Sequence, residues 1–286
     1  MNKVFFSARA KDKTFKVFAI FCTFTCLLTL LVLIADILIK GLSRLNWSFF
    51  ANLPSRFPEQ SGIYTAIAGM VSLLFFTILI ALPIGILSGI YLQEYGNKNR
   101  LAKFIEINIS NLAGVPSVIY GILGLQLFVR MAGLGNSILS GALTLALLIM
   151  PVIIVSTREA IKAVPDTLRE AAFGLGATRL QTIYRVVLPA SFGGILTGII
   201  LSVSRAIGET APLIVVGALA YVPFIPEGPL DQYTSLPIQI FNWTSRPQQG
   251  FVDNAAAGII VLLVFTFLLN GIAIVLRNRW YKKTTI

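Results

Sequence analysis

The chain has 286 residues, 56% of them hydrophobic and only 12% charged, about half the charged share of an ordinary soluble domain. A soluble fold of this length has no interior large enough for that much apolar surface, so hydrocarbon must be its solvent. There is no histidine, which removes the commonest general base and metal ligand, and the net charge of +11 sits in short loops between apolar runs, where membrane orientation explains it better than nucleic acid does.

Six apolar runs fall at 15–39, 64–92, 109–129, 134–157, 190–220 and 254–276. Each has about 20 residues or more, enough to cross a hydrocarbon core of about 30 Å as a helix. The first run is too long for a signal-peptide core and no small-residue cleavage pattern follows it, so it reads as an uncleaved anchor. Cys22 and Cys26 lie one turn apart within it and read as packing residues rather than a metal or redox pair. Asp36 sits near its outer end with no assigned role. Residues 1–63 form a tail, this first helix and an outer loop, and residues 64–286 form a core of five further helices.

The basic residues divide by loop. Lys3, Arg9, Lys11, Lys13 and Lys16 precede the first run, and Lys98, Arg100 and Lys103 follow the second. Arg158, Lys162, Arg169, Arg179 and Arg185 follow the fourth, and Arg277, Arg279, Lys282 and Lys283 end the chain. These 17 lie on one side, against Lys40, Arg44, Arg56, Arg130 and Arg246 on the other, which places both termini in the cytoplasm. Gly85 with Gly89, and Gly194 with Gly198, are small-xxx-small pairs that let helices approach closely.

The cytoplasmic loop 158–189 carries a helix start. Thr167 and Glu170 have capping-box spacing, with Asp166 as an alternative cap. Leu168, Ala171, Ala172 and Leu175 then form one apolar stripe, and Gly174 and Gly176 end or turn the helix. A second amphipathic stretch, Leu180 to Leu188, stops at Pro189. An apolar face in a water-facing loop needs a cover, which is either its own bundle or a partner.

The next run contains Ser204-Arg205-Ala206-Ile207-Gly208-Glu209-Thr210-Ala211-Pro212, with Arg205 near the middle of the span. A charge at that depth costs at least about 2.5–3.5 kcal/mol. Arg205 and Glu209 share a helix face and can pair. One reading is a structural ion pair; the other is a wet cavity where the guanidinium fork meets an oxyanion. The outer loop 221–253 holds Pro223, Pro226, Pro229, Pro237 and Pro247, which rule out a continuous helix. It reads as an irregular cap that touches a partner, or as a passive connector.

Two sets of residues carry a resemblance. Glu170-Ala171-Ala172, Gly176 and Val186-Val187-Leu188-Pro189 resemble the EAA loop of ABC importer permeases, with Val186 where that pattern has isoleucine. The resemblance implies a coupling helix that docks on an ATP-hydrolysing subunit through Leu168, Glu170, Ala171, Ala172, Gly176, Leu188 and Pro189. No part of the chain reads GxxxxGK[ST], so the energy must come from a separate chain. The Arg205–Pro212 segment, Gly114-Val115-Pro116-Ser117-Val118-Ile119-Tyr120-Gly121 and Leu236-Pro237-Ile238-Gln239-Ile240 with Trp243 are similar to the phosphate ABC transporter permeases of the PstA type. That similarity implies an all-α, type I (MetI-like) bundle of six transmembrane helices in the bacterial inner membrane. It implies a substrate pathway through Arg205 and Glu209 with Ser204 and Thr210 beside them, while Arg130 and Arg158 read as interfacial charges. The implied partners are a second phosphate permease subunit, two copies of a cytoplasmic ABC ATPase and a periplasmic phosphate-binding protein. The chain itself would bind no cofactor or metal and catalyse nothing, with ATP and Mg²⁺ on the ATPase. Another oxyanion as cargo (sulfate, molybdate or phosphonate), or an ATP-independent anion transporter, is the alternative.

Overall fold

The computed structural model describes residues 2–96, 100–218 and 221–284, and among them it contains helices and no strand. Lys98 of the inner-face charges and the last two positions of the run expected to end at 220 lie outside the described residues, as do the side chains of Lys3, Arg9, Lys11, Lys282 and Lys283. The first helix, α1 (Asn2–Gly41), leads to a short outer helix α2 (Trp47–Ala51), whose first turn is capped by the Asn46 side chain accepting from the Phe49 N–H. Next comes α3 (Tyr64–Ile90), which continues as a π-helical turn at Tyr91–Tyr95. Helix α4 (Arg100–Leu112) precedes α5 (Ser117–Gly124), which is prolonged by a π-helical stretch, Leu125–Met131. Then follow α6 (Ile138–Lys162), α7 (Asp166–Gly174) and α8 (Arg179–Thr182). A π-helical stretch, Ile183–Val187, joins α8 to α9 (Leu188–Gly208), after which come α10 (Ala211–Val216), α11 (Leu236–Thr244) and α12 (Gln249–Thr284).

Helix α6 is the axis of the bundle, and glycines on two neighbours explain how closely it is gripped. A Cβ on Gly85 of α3 would lie 2.7 Å from Ile153, and one on Gly194 of α9 would lie 2.7 Å from the Ala160 side chain. Gly89 and Gly198 meet Thr157 and Ser156 in the same way. Both small-residue pairs therefore pack on α6, since backbone-close approach replaces the hydrophobic drive that lipid cannot supply.

At the outer end, Trp243 of α11 is buried beside Phe49, their rings 5.9 Å apart. Arg44 donates through Nε to Asn254 Oδ1 at 2.7 Å, and Asn254 Nδ2 donates to the Pro58 carbonyl at 2.8 Å, tying the start of the outer loop to α12. Segment 229–235 caps α6, since the Ile138 and Leu139 N–H groups donate to the Asp231 and Pro229 carbonyls. Tyr233 in that segment is fully buried, and burial pushes its hydroxyl pKa up, so it packs as a neutral group.

Four expectations are corrected. The run 109–129 is not one straight span: α4 and the helix Ser117–Met131 are bent by 108°, and with that pair counted as one span the described residues contain six spans long and apolar enough to cross a membrane. Pro116 lacks an N–H and disfavours helix at Val115, so the apolar run continues while the helix does not. The stretch before Pro189 does not stop there, because the π-helical widening at Ile183–Val187 absorbs the proline and one helix runs from Arg179 to Gly208. The outer loop is not all irregular: α11 fits within it because Pro237 sits in the first turn, and Leu236, Pro237, Ile238, Gln239 and Trp243 are buried. Cys22 and Cys26 are exposed on α1 rather than packed within the chain.

Candidate functional site

The fifth run breaks near the charged pair. α9 ends at Gly208, Glu209 is extended (φ −73°, ψ 127°), and α10 restarts with Pro212 in its first turn, where the missing N–H removes no helical bond. Arg205 thus lies in the last turn of α9 rather than mid-helix, and its pairing with Glu209 crosses a helix end instead of following one face. The pair still forms: Arg205 Nε donates to Glu209 Oε1 at 3.3 Å. The arginine side chain is 40% exposed and the glutamate 15%. Among the described residues this is the only hydrogen bond of the Arg205 guanidinium, so both Nη groups are left without a protein acceptor.

A second broken helix packs against the first. The Tyr120 hydroxyl donates to the Leu112 carbonyl at 2.9 Å, stapling α5 to α4 across their bend. A Cβ on Gly121 would lie 2.8 Å from Pro212 Cα, so α5 and α10 meet backbone to backbone. Two segments about 90 residues apart in sequence, 114–121 and 205–212, therefore form one junction of discontinuous helices, an arrangement that membrane proteins use where irregular backbone lines a cavity.

The other expected residues fall in different places. Thr210 stays at the break, its hydroxyl 3.5 Å from the Gly208 carbonyl. Ser204 turns to α12, its hydroxyl within hydrogen-bond distance of Asn270 Oδ1 and of the Ile200 carbonyl in its own helix. The Leu236–Ile240 segment packs in the outer core beside Trp243. Arg158 pairs with Glu106 at 2.7 Å and holds α6 to α4, while Arg130 is exposed at the end of the helix that begins with α5.

The inner loop presents a second surface. The expected capping box of α7 is absent, because Pro165 precedes the helix without a side-chain cap and Asp166 pairs with Arg169 at 2.9 Å. A capping box does form at α8, where the Thr178 side chain accepts from the Gln181 N–H and Gln181 Oε1 accepts from the Thr178 N–H. Gly176 turns the chain with φ +83°, a left-handed conformation that glycine adopts freely. Ala172 packs inward, whereas Leu168, Glu170, Ala171, Leu175 and Gly176 are exposed. Leu175 is 90% exposed, and Phe173, Leu180 and Tyr184 add to an apolar surface that the described residues leave uncovered. Leu188 and Pro189 are half-buried at the root of α9, where Leu188 packs against Ile161 and Val164. The attachments of this loop to the bundle, made by Arg169 and Arg179 to Glu94 and Tyr95, had no signature in the sequence because the partners are more than 70 residues apart.

Residues 81–282 match the family described as "Binding-protein-dependent transport system inner membrane component". The chain belongs to that family. The match begins inside α3 and takes in both broken helices and the inner loop. The chain is similar to the probable ABC transporter permease protein YqgI of Bacillus subtilis (strain 168), at 32% identity over 88% of this chain and 90% of the relative. It is also similar to the phosphate transport system permease protein PstA of Pasteurella multocida (strain Pm70), at 31% identity over 94% of this chain and 95% of the relative. In fold it resembles the solved inward-facing MetNI methionine ABC transporter, with a TM-score of 0.59 and 17% identity over 77% of this chain and 94% of that one. This inner membrane component is an all-helical, multi-pass transport protein of the MetI-like architecture.

Proposed function

We propose that this chain is one of two permease subunits of an ATP-driven phosphate importer and that Arg205 is the residue its cargo meets at mid-membrane. The observation that carries the reading is the Arg205 guanidinium at the junction of two broken helices, with neither Nη group claimed by an acceptor among the described residues. A planar fork of donors matches two phosphate oxygens at once. Glu209, paired through Nε, sets a carboxylate beside any bound anion and keeps that binding weak enough for release. The family description supports transport that depends on a binding protein, and the phosphate-transport name of the Pasteurella relative supports the choice of cargo.

In this reading a sister permease covers the exposed side of the Arg205 junction, and a periplasmic binding protein delivers phosphate to the outer face. The excess of basic residues on one set of loops supports a cytoplasmic position for both termini. Two ATPase subunits, which hold ATP and Mg²⁺, take the exposed apolar surface of α7 and α8 and drive the bundle between outward- and inward-open states. Leu168, Glu170, Ala171 and Gly176 form the docking face, with Ala172 packed behind it and Leu188 and Pro189 at its root. The chain binds no nucleotide of its own and supplies pathway and coupling, not chemistry. The test is import of labelled phosphate into proteoliposomes that hold the complete complex and its binding protein. Unlabelled phosphate should compete, while equimolar sulfate, molybdate or a phosphonate should not. Equal competition by sulfate would overturn the assignment of cargo.

A further inference from the structure

Helix α7 is a nine-residue piece whose buried residue is Ala172, so apolar packing alone holds it weakly to the bundle. What fixes it is Arg169. All five N–H groups of its guanidinium have acceptors. Nε and Nη2 donate to Glu94 Oε1 at 3.3 and 3.1 Å, Nη1 donates to the Val164 carbonyl at 2.7 Å and Asp166 Oδ1 at 2.9 Å, and Nη2 also donates to the Ile161 carbonyl at 2.9 Å. Three elements are thereby joined: the first turn of α7, the carbonyl end of α6 and the π-helical end of α3. The side chains of Arg169 and Glu94 are 13% and 10% exposed. Arg179, at the start of α8, adds a second tie to the same end of α3, its guanidinium 4.5 Å from the centre of the Tyr95 ring.

A buried ion pair is a poor way to gain stability, since desolvation consumes most of the attraction and well-packed apolar side chains do as well. Its distinguishing property is geometric, because a guanidinium with every donor engaged fixes distance and orientation together. Were folding stability the only requirement, a leucine pair would serve. We infer that Arg169 and Glu94 are positioning residues, forming the rigid joint through which displacement of the inner loop by the ATPase reaches α3 and α6. The inference rests on the reading of α7 as the ATPase-docking helix and adds which bundle elements receive the movement. α3 and α6 are also the helices held backbone-close through Gly85 and Gly89, so a push at the joint moves them as one body.

The experiment uses the complete complex in proteoliposomes and reads ATP hydrolysed per phosphate imported, alongside the amount of assembled complex. Glu94→Gln keeps size and hydrogen-bonding capacity but removes the charge, and Arg169→Lys keeps the charge but removes the fork. Each should leave assembly and maximal ATPase rate intact and raise the ATP-to-phosphate ratio at least about threefold, and the double variant should be no worse than the worse single, as coupled positions require. An unchanged ratio in both single variants, or effects that multiply in the double, would overturn the joint. Loss of assembled complex in both singles would make the pair a folding element and equally overturn it. If the wild-type complex imports another anion in place of phosphate, the cargo assignment fails while the ratio is measured with that anion, so the two failures are distinguishable.

Discussion

Arg205 and Arg169 both sit near helix termini, and the chain holds them in opposite ways. Arg169 spends every donor on protein acceptors and is 13% exposed; Arg205 makes one bond of 3.3 Å and is 40% exposed. Withdrawing a charge from bulk water is costly in either case. Five hydrogen bonds to four acceptor atoms offset that cost for Arg169 within the chain, as the proposed joint requires. Arg205 is left with donors to spare, as the proposed anion site requires. The difference between the two regions is thus one of hydrogen-bond satisfaction rather than residue type, and it predicts which arginine loses transport and which loses coupling.

The largest effect should come from Arg205→Gln. Glutamine keeps a polar end but neither the charge nor the bidentate fork, so phosphate import should fall by about 100-fold or more, the equivalent of two hydrogen bonds to a charged group. Assembly should be unaffected, because the side chain has one weak partner to lose. Arg205→Lys, which restores charge without the fork, should recover part of the rate. Normal import by the glutamine variant would erase the contrast with Arg169 and leave a structural pair in place of a site.

That contrast was only half readable in the sequence. Six long apolar runs, the charge asymmetry of the loops and the Arg205–Glu209 spacing are one-dimensional features, so composition and periodicity expose them. The bend at Ala113–Pro116 is hidden because the apolar run passes through it unbroken, and the helix within the outer loop is hidden because prolines tolerated in a first turn look like breakers. At Pro189 the reverse occurs: a π-helical turn removes a break that the proline announces. Glu94 and Arg169 are separated by 75 positions, and no local pattern marks either as a partner. Ser204 looked equivalent to Arg205 from adjacency alone, yet successive helical residues face different neighbours.

The turn at Gly176 separates backbone from surface within the proposed docking loop. Nothing lies within 4 Å of a Cβ placed there, so a side chain costs backbone strain and meets no clash. At φ +83° that strain is about 1–2 kcal/mol for most L-residues and less for asparagine. Gly176→Asn should therefore keep coupling near the wild-type ratio, while Gly176→Leu, which adds both strain and bulk to the docking face, should raise ATP hydrolysed per phosphate several-fold, about the factor that 1 kcal/mol yields. Comparable ratios for the two variants would show that surface shape at this turn is irrelevant to docking.

The smallest effect is expected at Ser204, and it sharpens where the Arg205 site ends. Its hydroxyl, next to Arg205 in sequence, lies between Asn270 on α12 and the Ile200 carbonyl of its own helix, within hydrogen-bond distance of both. Such bonds within membranes contribute about 0.6 kcal/mol on average, because the separated helices find other partners. Ser204→Ala should therefore lower thermal stability slightly and leave import within about twofold of wild type, the shift that 0.4 kcal/mol produces. The measurement is initial import rate at saturating phosphate, compared with Arg205→Gln in the same vesicles. A loss approaching that of Arg205→Gln would mean that the hydroxyl leaves Asn270 when cargo arrives, and the boundary between packing and pathway would move one residue toward α12.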